Sequence, residues 1–189
     1  NPLYKDLVKQ FGDALHDAAF ITEKPKQIIS VSPKLDLALG GGVPEGSLFI
    51  MTGPEKIGKT VTALSFCANA QSQERFVYYG NIEGRLKKRD LEGIRELQLG
   101  PEQFQMVGSS EGNILSGEDY LGIFDKVVHG HPKAVAVVDS FSALAAEAEL
   151  AGELKDIQVM SIQKTQAKWC RRIGNVLPIN NVTVVGITH

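Results

Sequence analysis

An α/β fold, with a mostly parallel twisted sheet flanked by helices, is predicted by three features of the sequence. Strand-like apolar runs alternate with helix-length segments from Ile28 onward. The run Ser47–Thr52 passes through the glycine loop Gly53-Pro54-Glu55-Lys56-Ile57-Gly58-Lys59-Thr60 straight into the helix-like stretch Val61–Ala68. The run Ala134-Val135-Ala136-Val137-Val138 is apolar throughout, as a parallel strand covered on both faces must be, and it ends in Asp139.

In chain order, the first element is an amphipathic helix over Leu3–Ala18, with Leu3, Leu7, Val8, Phe11, Leu15 and Ala18 on one face. The segment Ile21–Lys26 is polar, contains Pro25 and reads as a linker. Residues 1–27 therefore form an N-terminal element, joined to the main domain or docked on a neighbouring subunit, and residues 28–189 form the core. Predicted strands are Ile28–Val31, Ser47–Thr52, Phe76–Asn81, Phe104–Val107, Ala134–Asp139 and Val182–Thr188. Predicted helices are Lys59–Gln73, Lys87–Leu97, Gly117–His129 and Asp156–Asn175. The turn Gly40-Gly41-Gly42, with Pro44 and Gly46, connects into the strand before the loop.

The loop Gly53–Thr60 fits the G-x-x-x-x-G-K-[ST] pattern. Its glycines let backbone wrap closely around phosphate oxygens, because a Cβ obstructs the torsions required. Loop N–H groups, including those of Glu55, Lys56 and Ile57, and the helix N-terminus through Val61 face the anion. Lys59 reaches the β- and γ-phosphates of a nucleoside triphosphate, and the Thr60 hydroxyl ligates Mg²⁺. The carboxylate of Asp139 supplies the second Mg²⁺ ligand from the end of a nearby strand. Glu83, just after the strand Phe76–Asn81, is placed to align and activate the attacking water. Thr188 and His189 close another apolar strand, and in a parallel sheet the C-terminal strand ends gather around the ligand.

At 189 residues the chain suits one α/β domain with a sizeable core. No apolar run approaches the ~20 residues of a membrane helix. The N-terminus shows no charged region followed by an apolar one, so no secretory signal is visible and a cytoplasmic setting is expected. The isolated Cys67 and Cys170 read as reduced helix residues, with no zinc partners nearby. The net charge of −2 carries no overall nucleic-acid signal, so any DNA contact has to be local or shared between subunits.

The residues around these motifs are more specific than the motifs. Leu35-Asp36-Leu37-Ala38-Leu39-Gly40-Gly41-Gly42-Val43-Pro44-Glu45-Gly46, leading to Gly53-Pro54-Glu55, resembles the signature of bacterial RecA and its phage relatives of the UvsX type. Val137-Val138-Asp139-Ser140, with Ala143-Leu144 after it, resembles the family's Walker B strand and following turn, and Leu99-Gly100-Pro101-Glu102 a shortened form of a further turn. The resemblance runs from about Ile28 to His189. It implies a RecA-like P-loop core that acts as a DNA-dependent, Mg²⁺-requiring ATPase. The whole would be a recombinase that forms helical filaments on single-stranded DNA and pairs it with a homologous duplex. It implies no membrane partner.

By the same resemblance, Glu83 in Asn81-Ile82-Glu83 matches the catalytic glutamate, and Thr188-His189 matches the pair whose second residue contacts the γ-phosphate and opens the second DNA-binding loop. Glu147–Asp156, with Gly152, Glu153 and Lys155, resembles the first DNA-binding loop. Lys164, Lys168, Arg171 and Arg172 follow on one helical face as candidate DNA contacts, and Lys164 and Arg171 match basic positions of the family helix that borders DNA. Asp90 stands where the family has its adenine-stacking aromatic, which leaves Arg89 as the candidate for the base. The second DNA-binding loop and the last core strands would lie beyond His189. Two other readings compete. One is a different RecA-fold ATPase, a helicase motor or a KaiC-like regulator, against which the GPE-x-x-GKT and ALGGG features weigh. The other is a non-catalytic filament modulator, against which intact Lys59, Thr60, Glu83 and Asp139 weigh.

Overall fold

The structure, a computed structural model, describes residues 2–16, 19, 25–151 and 161–189. Five parallel strands form the central sheet in the order β3-β7-β6-β4-β5. These are β3 (Leu48–Thr52), β4 (Val77–Asn81), β5 (Phe104–Val107), β6 (Val135–Asp139) and β7 (Thr183–Thr188). Parallel neighbours require crossovers, and helices supply them: α3 (Lys59–Gln71) and the short α4 (Lys88–Glu92), then α5 (Gly117–Gly130) and α7 (Ser161–Gly174), with the one-turn α8 (Leu177–Asn180) before β7.

Alternation along the strands builds two cores. Val135 and Val137 of β6, Val77 and Tyr79 of β4, and Val185 and Ile187 of β7 face α3, meeting Ala63, Leu64, Phe66 and Cys67. Ala134, Ala136, Val138, Val182 and Val184 face the other way, against Phe124, Trp169, Ile173 and Leu177. A strand apolar at every position is thus accounted for by burial on both faces.

The N-terminal part of the core departs from the prediction. Ile28–Val31 does not join the main sheet. Only Ile28–Ile29 (β1) is strand, paired antiparallel with Val43–Pro44 (β2). Val31 instead donates its N–H to Asp36 Oδ1 at 2.8 Å. Between them lies an unpredicted helix, α2 (Pro33–Leu39), capped by Ser32 and ended by Gly40 in the left-handed region. Arg75 fastens the ribbon to the segments that lead into β6 and β7. Its fully buried guanidinium pairs with Glu45, bonds Gln27 Oε1 at 2.8 Å, and reaches the carbonyls of Lys133 and Asn181 at 3.1 and 3.3 Å.

The predicted helix Lys87–Leu97 shrinks to α4, because Gly93 closes it and Glu96 takes a positive φ of 67°. The N-terminal helix α1 spans Pro2–Phe11, a short 3₁₀ turn follows, and the predicted end at Ala18 lies outside the described residues. No residue of α1 is buried, and Leu3, Leu7, Val8 and Phe11 are all exposed. A short helix, α6 (Glu147–Ala151), precedes residues 152–160, which fall outside the described part together with the predicted start of the helix at Asp156. No described helix is long and apolar enough to cross a membrane.

Candidate nucleotide site

The cavity at the C-terminal strand ends, about 420 Å³, is lined by the loop after β3, by residues following β4, and by the ends of β6 and β7. Gly58 caps α3 with φ +97°, a torsion glycine adopts readily. At Gly53, φ is +152° and a Cβ would lie 2.7 Å from Ile57 Cδ1. At both positions the backbone takes a torsion that side-chain-bearing residues adopt only with strain. Glu55, Lys56, Lys59, Thr60 and Val61 line the cavity. Lys59 is buried, and its Nζ donates to the carbonyls of Gly53 and Pro54 at 2.5 and 2.7 Å. Its charge is thereby held at the mouth of the loop.

Thr60 and Asp139 meet although 79 residues apart: Thr60 Oγ1 donates to Asp139 Oδ2 at 3.0 Å. A hydroxyl and a carboxylate are hard oxygen donors suited to Mg²⁺, which prefers one or two protein oxygens together with water and substrate phosphates. Among the described residues no group of three or more His, Cys, Asp or Glu converges, as an all-protein metal cage would require. By their donor chemistry, the Thr60 hydroxyl and the Asp139 carboxylate beside the loop fit a Mg²⁺–nucleotide site.

Glu83 sits across the cavity in a ring of donors. Ser140 Oγ and His189 Nε2 both reach Glu83 Oε1, at 2.8 and 3.0 Å, and Arg85 pairs with Oε2 at 3.0 Å. A carboxylate only accepts, so His189 Nε2 carries the proton in this contact. Burial works to raise the Glu83 carboxyl, but the bonds from His189 and Ser140 and the Arg85 charge outweigh it and hold the group below the ordinary glutamate range. The His189 N–H donates to Ser142 Oγ at 3.1 Å, tying the end of β7 to the turn after β6.

The residues expected at the base are arranged differently. Arg89 is not among the residues lining the cavity; its exposed side chain lies 3.7 Å from Asp90. Asp90 and Leu86 do line it. Asp90 also accepts the Lys87 N–H at 2.8 Å, so it serves as the first-turn carboxylate of α4. Of the predicted DNA-facing residues, Gly152, Glu153 and Lys155 lie outside the described part. Lys164, Lys168 and Arg171 are exposed along α7. Arg172 points elsewhere, pairing with Asp125 of α5 at 2.9 Å. Sequence reasoning missed Tyr79, whose Oη donates to Asp139 Oδ2 at 2.7 Å, and gave Arg85 and Ser142 no role; nothing in their spacing marks them.

Residues 5–189 match the family described as the RecA N-terminal domain. The chain is 33% identical over 178 residues to Protein RecA of Rippkaea orientalis, covering 91% of this chain and 46% of that protein. It is 31% identical over 186 residues to Protein RecA of Bifidobacterium longum, with 96% and 44% coverage. To Protein RecA of Thermus thermophilus it is 31% identical over 190 residues, with 98% and 53% coverage. The chain spans about half the length of the curated relatives it matches.

Proposed function

We propose that this chain, which belongs to the RecA family, is the ATPase core of a cytoplasmic recombinase, of the bacterial RecA or phage UvsX type. It would hydrolyse ATP, assemble into a helical filament on single-stranded DNA and pair that strand with a homologous duplex. The observation that carries the reading is the convergence of Lys59, Thr60, Glu83, Asp139 and His189 on one cavity. The loop backbone and Lys59 receive the triphosphate. Thr60 and Asp139 would hold Mg²⁺, whose charge offsets that of the phosphates. Glu83, ionised and fixed by Ser140 and His189, orients the attacking water and accepts its proton.

His189 is the link to DNA in this reading. Its bond to Glu83 and the backbone tie to Ser142 make the end of β7 responsive to whatever occupies the cavity. Lys164, Lys168 and Arg171 supply a local basic face on a chain of net charge −2. Residues 1–27 form a docking element for a neighbouring subunit, supported by the exposed apolar side of α1; residues 28–189 form the core.

The test is ATP hydrolysis by the full-length protein with and without single-stranded DNA. Strong stimulation is expected. Robust hydrolysis indifferent to DNA would favour a regulatory ATPase of the same fold, and absence of hydrolysis a nucleotide-binding modulator.

A further inference from the structure

Tyr79 lies outside the glycine loop and does not line the cavity, yet it touches the carboxylate assigned to Mg²⁺. Its side chain is fully buried in the layer between sheet and α3. The ring stacks on Phe104 with centroids 6.1 Å apart. A phenylalanine would fill the same layer. The hydroxyl is what calls for an explanation, since a phenol buried among apolar groups costs free energy unless it is hydrogen-bonded. Its partner is Asp139 Oδ2 at 2.7 Å.

The contact follows from register. Tyr79 is opposite Val137 on the adjacent parallel strand, and Asp139 lies two residues further along β6, on the same face. The tyrosine ring therefore extends up the strand beneath the carboxylate. Oδ2 accepts from both Thr60 and Tyr79. Two donors on one oxygen fix both the plane and the rotation of the carboxylate. A carboxylate oxygen only accepts, so the Tyr79 hydroxyl is the donor in this contact.

We propose that Tyr79 is a positioning residue of the Mg²⁺ site, its hydroxyl holding the Asp139 carboxylate in the orientation that takes the metal together with Thr60. The proposal rests on the reading of the cavity as a Mg²⁺–ATP site. Partners that orient a metal ligand typically account for ~10- to 100-fold in metal affinity.

The test uses Tyr79→Phe in the full-length protein, with Mg²⁺ titrated against a fluorescent ATP analogue. The Mg²⁺ concentration giving half-maximal binding should rise ~10-fold or more. Binding of the analogue in EDTA and the thermal midpoint should match wild type. In an Asp139→Asn background, adding Tyr79→Phe should produce no further shift, because the two residues act as one unit. An unchanged Mg²⁺ requirement in Tyr79→Phe overturns the proposal. So does loss of the variant's cooperative thermal transition, since the hydroxyl would then serve the core. Wild type that fails to bind the analogue, or Lys59→Ala that binds it equally well, overturns the reading of the cavity itself.

Discussion

His189 Nε2 lies 3.0 Å from Glu83 Oε1, which joins the end of β7 to the proposed water-activating residue beyond β4. The contact spans 106 residues of sequence and ties two strand ends that are not neighbours in the sheet. In the proposed nucleotide site, a γ-phosphate entering the cavity would compete for the same imidazole N–H. On the proposed reading His189 would contact the two nucleotide states differently, and a differential contact is what lets a ligand shift an equilibrium.

His189→Ala in the full-length protein should bind ATP, and should bind single-stranded DNA with ADP about as wild type does. The tightening of DNA binding by a non-hydrolysable ATP analogue should disappear, a coupling of about 1–3 kcal/mol. Single-strand affinities with ADP and with the analogue, compared between the two proteins, decide it. A mutant that keeps the full ratio removes His189 from the switch.

Glu83→Gln should lower kcat by ~10²-fold or more while ATP still binds, because the amide preserves size but cannot take a proton. The folded-state carboxyl is held below the ordinary value of 4.5. Glu83 thus stays ionised throughout neutral pH, and its own acid limb in the hydrolysis rate should fall below pH 4.5. Pre-steady-state turnover of bound ATP separates this from a loss of affinity.

Lys59→Ala should abolish hydrolysis. It removes the charge that the loop carbonyls of Gly53 and Pro54 hold at the cavity. A steady-state rate equal to wild type would refute the phosphate-loop assignment.

Lys164→Ala with Arg171→Ala should weaken single-strand binding and lower its salt slope by about one unit for each DNA phosphate that is no longer neutralised. Arg172→Ala should leave the slope nearly unchanged, because that guanidinium is committed to Asp125. Equal slopes for all three proteins would mean that the α7 face is simply solvated.

Glu45→Gln should destabilise the fold by about 3–5 kcal/mol, since it leaves the buried Arg75 charge uncompensated. Burial raises the Glu45 carboxyl, but the hydrogen bond from Arg75, the Gln27 N–H and the nearby positive charges lower it further, and the net position is below 4.5. The unfolded chain then binds the extra proton first on acidification. The stabilisation is complete above pH 4.5 and is lost as pH falls below it. Urea melts of wild type and variant at neutral and acid pH should converge at the acid end.

The parallel sheet and the loop were legible because strands covered on both faces leave unbroken apolar runs and because the loop's glycines are dictated by backbone torsion. α2 left signals too: Ser32 as N-cap, Pro33 in the first turn and Gly40 at the end. They were obscured by a glycine-rich stretch that reads as a turn. Ile28–Val31 has strand composition, but Val31 commits its N–H to Asp36, a side-chain contact that no periodicity announces. Arg89 and Asp90 illustrate a different limit. Their order along the chain is known, but which of them faces the cavity depends on where α4 begins, and the Lys87–Asp90 cap sets that. Tyr79 and Arg85 act through partners 60 and two residues away, so only the folded register reveals them.

The strand order β3-β7-β6-β4-β5 scatters the site's contributors across nearly the whole core. The phosphate loop follows β3, the earliest described strand of this sheet, while His189 directly follows β7, far along the chain, and these two strands are hydrogen-bonded neighbours. During synthesis the phosphate loop therefore waits for about 130 residues before its adjoining strand exists. On the proposed reading, nucleotide capture would have to wait until β7 is in place. Anything that binds the native cavity draws the chain toward the native state in proportion to the logarithm of its concentration, so on the proposed reading a nucleotide would double as a folding reagent for this domain.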